Sequence, residues 1–276
     1  MVRYTESEII VANAAREIVD GDIVVIGQGI PMAAGVLAKA THAPNCIILT
    51  EAGLVGIDPF RNPLHIADPT CTHGYAYSCD MIDVFATIVN RGLVDVTFLG
   101  VGQIDRYGNM NSTVFGDYDD FHMRMMGAGG APEFFGYARK AVLTMRGGRF
   151  VEKLDYVSSP GYLDGYDARE RAGFPPGSGP KVLYSTRGVF RFEEESKEIY
   201  LDGLFPGHSR EEVQAEVPWG LKVADELKTL PPPTLEEVDL IRHFAPEIAA
   251  GRRLQLELSL PIILEALTAR SQEGNQ

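Results

Sequence analysis

One carboxylate stands where a buried strand should end. CIILT (Cys46 to Thr50) is a continuous apolar run of the kind found in strands covered on both faces. Glu51 follows it directly and precedes Ala52-Gly53 in TEAGLVG. Open α/β sheets bind ligands beyond the carboxyl ends of their strands. A carboxylate at such a point, beside a flexible glycine, is placed to act as a nucleophile or a base. Its competing reading is a surface glutamate at a turn.

Three further segments have the composition of ligand-facing loops. Gly27-Gln28-Gly29-Ile30-Pro31 joins an apolar run to a helix start, and its two glycines let backbone approach a ligand at the helix amides. It lacks the GxGxxG spacing of a dinucleotide site, and a tight turn packed under a helix has the same pattern. GQIDRYGNMNSTVFGDY (Gly102 to Tyr118) concentrates Gln103, Asp105, Asn109, Asn111, Ser112 and Thr113 after a strand. These side chains can fix a ligand by hydrogen bonds, though ordinary polar loops share the composition. Gly127-Ala128-Gly129-Gly130 is a candidate backbone nest for an oxyanion or phosphate. Around it, from Phe121 to Lys153, the cations Arg124, Arg139, Lys140, Arg146, Arg149 and Lys153 meet only Glu133 and Glu152. In a chain of net charge −13 this local inversion fits a phosphate-bearing ligand. A basic surface or a partner interface is the other reading.

Several chemistries are excluded or disfavoured. The six histidines, at 42, 65, 73, 122, 208 and 243, form no spaced metal motif. No GxSxG elbow or Walker A sequence occurs. The three cysteines, Cys46, Cys71 and Cys79, make no CxxC pair, and small buried hydrophobes are their expected role. The net charge of −13 argues against nucleic acid and anionic membranes as partners. No apolar run reaches the ~18 residues of a membrane-spanning helix, and the first residues lack the pattern of a signal peptide. The expected location is cytoplasmic, with reduced thiols.

The elements that must position these residues alternate between strand and helix. Thr5-x-x-Glu8 is a capping box for a first helix. IVVI (Ile23 to Ile26) reads as a buried strand, Met32 to Ala40 as a helix, and Cys46 to Thr50 as a second strand. Asp80 caps a helix reaching Val89, and Val94 to Val101 and Ala141 to Met145 are further strands. This order predicts an α/β fold, a mainly parallel sheet flanked by helices. The second half differs. Pro160 to Pro180 reads as a long ordered loop, and residues 181–186, 188–192 and 198–203 as short strands in a β-hairpin elaboration. Ser209-x-x-Glu212 and Thr234-x-x-Glu237 cap two later helices. With 276 residues and no evident linker, residues 1–250 are expected to form a single domain. Residues 251–276 are expected to be a C-terminal extension with a helix near 262–269.

Taken together, the motifs resemble those of the β subunit of family I CoA-transferases, glutaconate CoA-transferase among them. The similar segments run in order from about Glu8 to Phe244: VVIGQGIPMAA, ILTEAGLVG, GVGQIDRYGNMNSTVFGDY, MMGAGGAPE and EKLDYVSSPGYLDG. The resemblance implies that Glu51, in the E-x-G motif, is the catalytic nucleophile. It also implies that loops carrying Gly27, Gln28, Gly29, Ile30, Asn109, Asn111, Gly127, Gly129 and Gly130 line the acyl-CoA site. Coenzyme A would be a cosubstrate, with no permanently bound cofactor and no metal. An α subunit of similar fold would complete the site, so this chain would be half of an enzyme.

The implied reaction is ping-pong transfer of CoA between an acyl-CoA and a free acid, through a glutamyl-CoA thioester. The acid would be a dicarboxylate such as glutaconate, or a 3-oxo acid. Two other readings remain at this point. One is an acyl-CoA hydrolase or decarboxylase on the same scaffold, against which the retained Glu51 weighs. The other is a non-catalytic acyl-CoA-binding or regulatory module, since fold alone does not fix function.

Overall fold

The computed structural model describes residues 3–250. In chain order the first strands are β1 (Ile23–Ile26), β2 (Ile47–Leu49), β3 (Leu54–Val55), β4 (Tyr77–Ser78) and β5 (Val96–Gly100). Next come β6 (Gln103–Ile104), β7 (Met110–Asn111), β8 (Val114–Gly116), β9 (Phe121–Arg124), β10 (Lys140–Thr144) and β11 (Arg149–Phe150). The last are β12 (Pro180–Tyr184), β13 (Gly188–Phe192), β14 (Ile199–Leu204) and β15 (Lys222–Thr229). A ten-stranded sheet has the order β15-β14-β13-β12-β10-β5-β1-β2-β3-β4. Its centre, β12-β10-β5-β1-β2, is parallel throughout. Ile23 pairs with Ile47 and Val24 with Val96, so the apolar runs read from the sequence lie side by side.

Helices cover both faces. On one face lie α1 (Glu6–Ala15), α2 (Ile30–Ala40) and, later in the chain, α7 (Leu235–Phe244). They bury Ile10, Leu37 and Ile241 against Val24, Ile48 and Phe98 of the sheet. The capping boxes of α1 and α7 both form. The opposite face is covered by α3 (Met81–Asp83), which continues as one wider turn over Val84–Val89, and by α4 (Ala131–Tyr137). There Val84, Val89 and Phe134 pack on Val25 and Leu49.

The second half holds the expected hairpin strands and one strand the sequence did not announce. The hairpins elaborate the main sheet itself: β12 joins β10 in parallel, and β13 and β14 extend the same sheet antiparallel. β15, whose charged KVADELKT carries no strand pattern, pairs in parallel with β14. Sheet pairing outweighs local propensity there. The Pro160 to Pro180 segment is irregular, as expected, save for α5 (Ala168–Arg171). The polar Gly102–Tyr118 loop is more ordered than expected. It holds β6, β7 and β8, which form two small sheets with β11 and β9. The capping box at Ser209 opens α6 (Arg210–Glu216). The expected extension over 251–276 and its helix near 262–269 lie outside the described residues.

Candidate active site

Glu51 is held by a turn, not by a strand. Gly53 N–H donates to Thr50 O at 3.1 Å, and Thr50 N–H to Leu54 O at 3.0 Å, closing the β2–β3 hairpin around Glu51 and Ala52. The turn needs glycine at its end. Gly53 has φ +99°, and a Cβ there would lie 1.9 Å from the carbonyl oxygen of Cys79. Thr50 is fully buried while Glu51 is half-buried, so the turn lifts the carboxylate out of the core at the carboxyl edge of the parallel strands.

The carboxylate meets a backbone amide. Gly130 N–H donates to Glu51 Oε2 at 3.0 Å. Close contact again requires glycine, since a Cβ on Gly130 would sit 2.4 Å from Oε2 and 2.5 Å from Phe85 Cζ. Gly130 is the residue that opens α4. The phenyl rings of Phe85 and Phe134 stack beside it at 5.1 Å. The amides of Ala128 and Gly129 donate to no acceptor among the described residues.

A cavity of about 280 Å³ opens in front of Glu51. Val25, Phe98, Met110, Met126 and Phe134 give it apolar walls, while Gln28, Ser112 and the Gly127–Gly130 backbone are its other polar groups. No three His, Cys, Asp or Glu side chains converge as a metal site among the described residues.

Residues 8–216 match the coenzyme A transferase family. This chain belongs to that family. It is 33% identical over 257 residues to the B subunit of 3-oxoadipate CoA-transferase from Pseudomonas knackmussii, covering 92% of this chain and 98% of that protein. It is 32% identical over 245 residues to the B subunit of glutaconate CoA-transferase from Acidaminococcus fermentans, covering 87% and 92%. The crystal structure of glutaconate coenzyme A-transferase from Acidaminococcus fermentans superposes with a TM-score of 0.80 at 31% identity, covering 88% of this chain and 95% of that one. A decarboxylase, AibA/AibB, shares the fold with a TM-score of 0.73 at 24% identity, covering 89% and 96%.

Within this CoA-transferase fold, the residues expected at the site divide into three groups. Glu51, Gly27, Gln28, Gly127, Gly129 and Gly130 all border the cavity. Gly29, with φ +76°, and Ile30 begin α2 behind Gly27 and Gln28. Asn109 and Asn111 face away. Asn109 Nδ2 donates to Asp105 Oδ2 (2.7 Å) and Leu163 O (2.8 Å), while its Oδ1 accepts from Gly161 N (2.8 Å) and Leu163 N (3.1 Å). Asn111 is fully buried, donating to Gln103 Oε1 and Val114 O and accepting from Thr113 N. Both side chains are spent on holding the loop. Burial raises the pKa of Asp105 although three N–H bonds to its carboxylate oppose the shift.

The side chains that do reach the cavity from this loop are Met110 and Ser112. Strand alternation explains it: residues 109 and 111 share one side of β7, and 110 and 112 the other. A period of two, read across NMNS, is the signal that locates them. Ser112 also anchors the glycine loop, its Oγ donating to Gly127 O and its carbonyl accepting from Gly127 N.

The basic run does not act as one patch. Arg139 pairs with Asp95 at 2.7 Å and Lys140 with Glu17 at 3.2 Å, both at the amino end of β10, away from Glu51. Arg124 lies over Tyr118 and Phe121, and Arg149 over Phe115. Four of the six cations in the inverted stretch are thus held in ion pairs or cation–aromatic contacts.

Proposed function

We propose that Glu51 is the nucleophile of a CoA transfer in which this chain is the catalytic β subunit of a heteromer. The observation that carries this reading is the Glu51 carboxylate facing an apolar cavity with Oε2 on the Gly130 amide. The hydrogen bond orients the carboxylate and leaves Oε1 for attack. Attack on an acyl-CoA carbonyl expels CoA thiolate and forms an acyl-glutamyl anhydride. The thiolate then attacks the glutamyl carbonyl, giving a glutamyl-CoA thioester and releasing the first acid as carboxylate. An acceptor carboxylate reverses the sequence and leaves as a new acyl-CoA, restoring Glu51. The amides of Ala128 and Gly129, which line the same cavity, are the donors this reading assigns to the transient oxyanions, a role worth ~2.7–4 kcal/mol per donor.

The names of the relatives support a reading of the substrate class and the partner. One is named for 3-oxoadipate and the other for glutaconate, and both are B subunits. On that support this chain is read as acting on a dicarboxylate or 3-oxo acid, with an α subunit as partner. Three free cysteines accord with a cytoplasmic site of action. Among the described residues no helix is long and apolar enough to cross a membrane.

The test is a covalent one. The complex with the α subunit is incubated with glutaconyl-CoA, 3-oxoadipyl-CoA and a panel of other acyl-CoAs. The Glu51 peptide is then examined by mass spectrometry for a CoA adduct. An adduct that an acceptor acid removes, and that Glu51→Gln abolishes, is the expected result. Consumption of acyl-CoA without an adduct would point instead to a hydrolase or decarboxylase. Acyl-CoA binding that Glu51→Gln leaves unchanged, without turnover, would point to a binding module.

A further inference from the structure

Arg169 is a cation buried without a carboxylate partner among the described residues. It is 3% exposed, at the second position of α5. Its Nε donates to Ser178 Oγ at 3.2 Å. Nη1 donates to Pro160 O at 2.7 Å and Gly161 O at 2.6 Å. Nη2 donates to Phe135 O at 2.7 Å and Gly136 O at 3.2 Å. A guanidinium has five N–H donors, and each here has an acceptor. The Phe174 ring lies under the group at 4.2 Å. Burial lowers its pKa to about 10, which leaves it charged at neutral pH. Burying a cation away from any anion is costly, so a site that keeps one needs a reason beyond packing.

The acceptors supply that reason. Phe135 and Gly136 lie in the last turn of α4, where backbone carbonyls lack intrahelical partners. A cation there also complements the negative end of the helix. The other end of α4 opens at Gly130, whose amide meets Glu51. Seven residues of helix span only ~10 Å, so fixing one end of α4 fixes the other. Pro160 and Gly161 continue from Ser158 and Ser159, which hold the cavity wall at Met110 and Ser112. Ser158 N and Ser159 N both donate to Met110 O, and Ser112 N donates to Ser158 Oγ. One guanidinium therefore ties the helix behind Gly130 to the segment behind Met110 and Ser112.

We propose that Arg169 is a positioning residue for the chemistry at Glu51: it clamps the end of α4 to the Ser158–Gly161 segment and so sets the Gly130 amide against the Glu51 carboxylate. Its effect on rate rests on the reading of Glu51 as nucleophile, whereas its effect on the Gly130 amide does not.

The test uses the assembled complex with this chain labelled with 15N-glycine, in wild-type, R169M and R169K forms that retain native circular dichroism. In the wild type, Glu51→Gln changes the charge on the acceptor of Gly130 and shifts that amide resonance. In R169M the shift is expected to fall to about a third or less, with R169K between, because loss of the clamp lets the amide drift from its acceptor. At saturating acyl-CoA, the rate of adduct formation at Glu51 is expected to fall about tenfold or more in R169M, with the half-saturating concentration changed less than about threefold. A merely stabilising arginine would lower the melting temperature and leave both readouts at wild-type values, which would overturn the proposal. If the wild type forms no adduct, the nucleophile reading fails, and the Gly130 shift alone decides the clamp. Should R169M not fold, R169K is read by the same two measurements, and wild-type values in both overturn the proposal.

Discussion

Glu51 and Gly130 are 79 positions apart in the chain, yet the Gly130 amide lies 3.0 Å from Glu51 Oε2. The space beyond Gly130 is closed by Phe85 and Phe134, so the contact tolerates no side chain. Gly130→Ala is therefore expected to lower CoA transfer by ~100-fold or more, the scale of losing one preorganised donor. Gly129→Ala is the informative neighbour. Its Cβ would meet Glu51 Oε1 at an ordinary 3.6 Å, and its φ of +53° makes the change one of backbone strain. That strain costs about 1–2 kcal/mol. Both variants should lose stability, Gly130→Ala by overpacking against Phe85 and Phe134; turnover measured below their melting temperatures separates them, lost at Gly130 and kept at Gly129.

The turn that presents Glu51 has its own weak point. Gly53 combines φ +99° with a Cβ position 1.9 Å from Cys79 O, and no rotation of a side chain relieves a backbone clash. Gly53→Ala must push the β2–β3 turn away from the Cys79 strand end. A loss of roughly 3 kcal/mol or more is expected, together with displacement of Glu51. Denaturant unfolding measures the first. Failure of the variant to form a Glu51 adduct, even well below its melting temperature, measures the second.

Much of this arrangement was legible in the chain itself. The apolar runs at residues 23–26 and 46–50 read as buried strands, and Glu51 at the end of the second followed from that. The glycines at 27 and 29 marked a backbone approach, and those at 127, 129 and 130 a backbone nest, without saying to what. Hidden from one-dimensional reading were contacts made by folding alone. Gly130 reaches Glu51 through α4, and Arg169 reaches α4 from α5, inside a segment whose Gly, Pro, Asp and Arg content reads as a loop. β15 carries no pattern because its pairing with β14 decides its state. Asn109 and Asn111 misled for a physical reason: a polar side chain beside a site is as useful for satisfying buried backbone as for touching a ligand.

Asn109 offers a direct check of that last point. It makes four hydrogen bonds, to Asp105, Gly161 and Leu163. Asn109→Ala strands these partners in a buried setting, where each unpaired group costs about 1–3 kcal/mol. A loss of about 3 kcal/mol in stability is expected, with the KM for acyl-CoA unchanged at a temperature where the variant is folded. Asn109→Asp should be pH-dependent. It sets a second carboxylate against Asp105, whose own pKa burial already raises. Groups with raised folded pKa values hold their proton in the native state, so this variant gains stability as pH falls towards 4 and loses it as pH rises. Unfolding curves at pH 5 and pH 8 test the sign.

The three thiols should differ in the same experiment run alkaline. Cys46 and Cys71 are buried, while Cys79 is partly open beside the Glu51 turn. Burial raises the Cys71 pKa from 9.0 to about 11. At pH 8 this cuts its thiolate fraction about 100-fold, and the thiolate is the reacting form. Iodoacetamide should therefore label Cys79 in the native protein and reach Cys71 only on unfolding. The same shift carries a stability consequence whose sign is fixed. Between pH 9 and 11 the unfolded chain releases the Cys71 proton and the native chain keeps it, so stability falls as pH rises through that window. Two pKa units correspond to about 2–3 kcal/mol. Below pH 9 nothing is lost. Cys71→Ala removes the group from both states. Its stability should therefore fall less than that of the wild type between pH 9 and 11, and parallel curves for the two proteins would show that Cys71 titrates as it does in water.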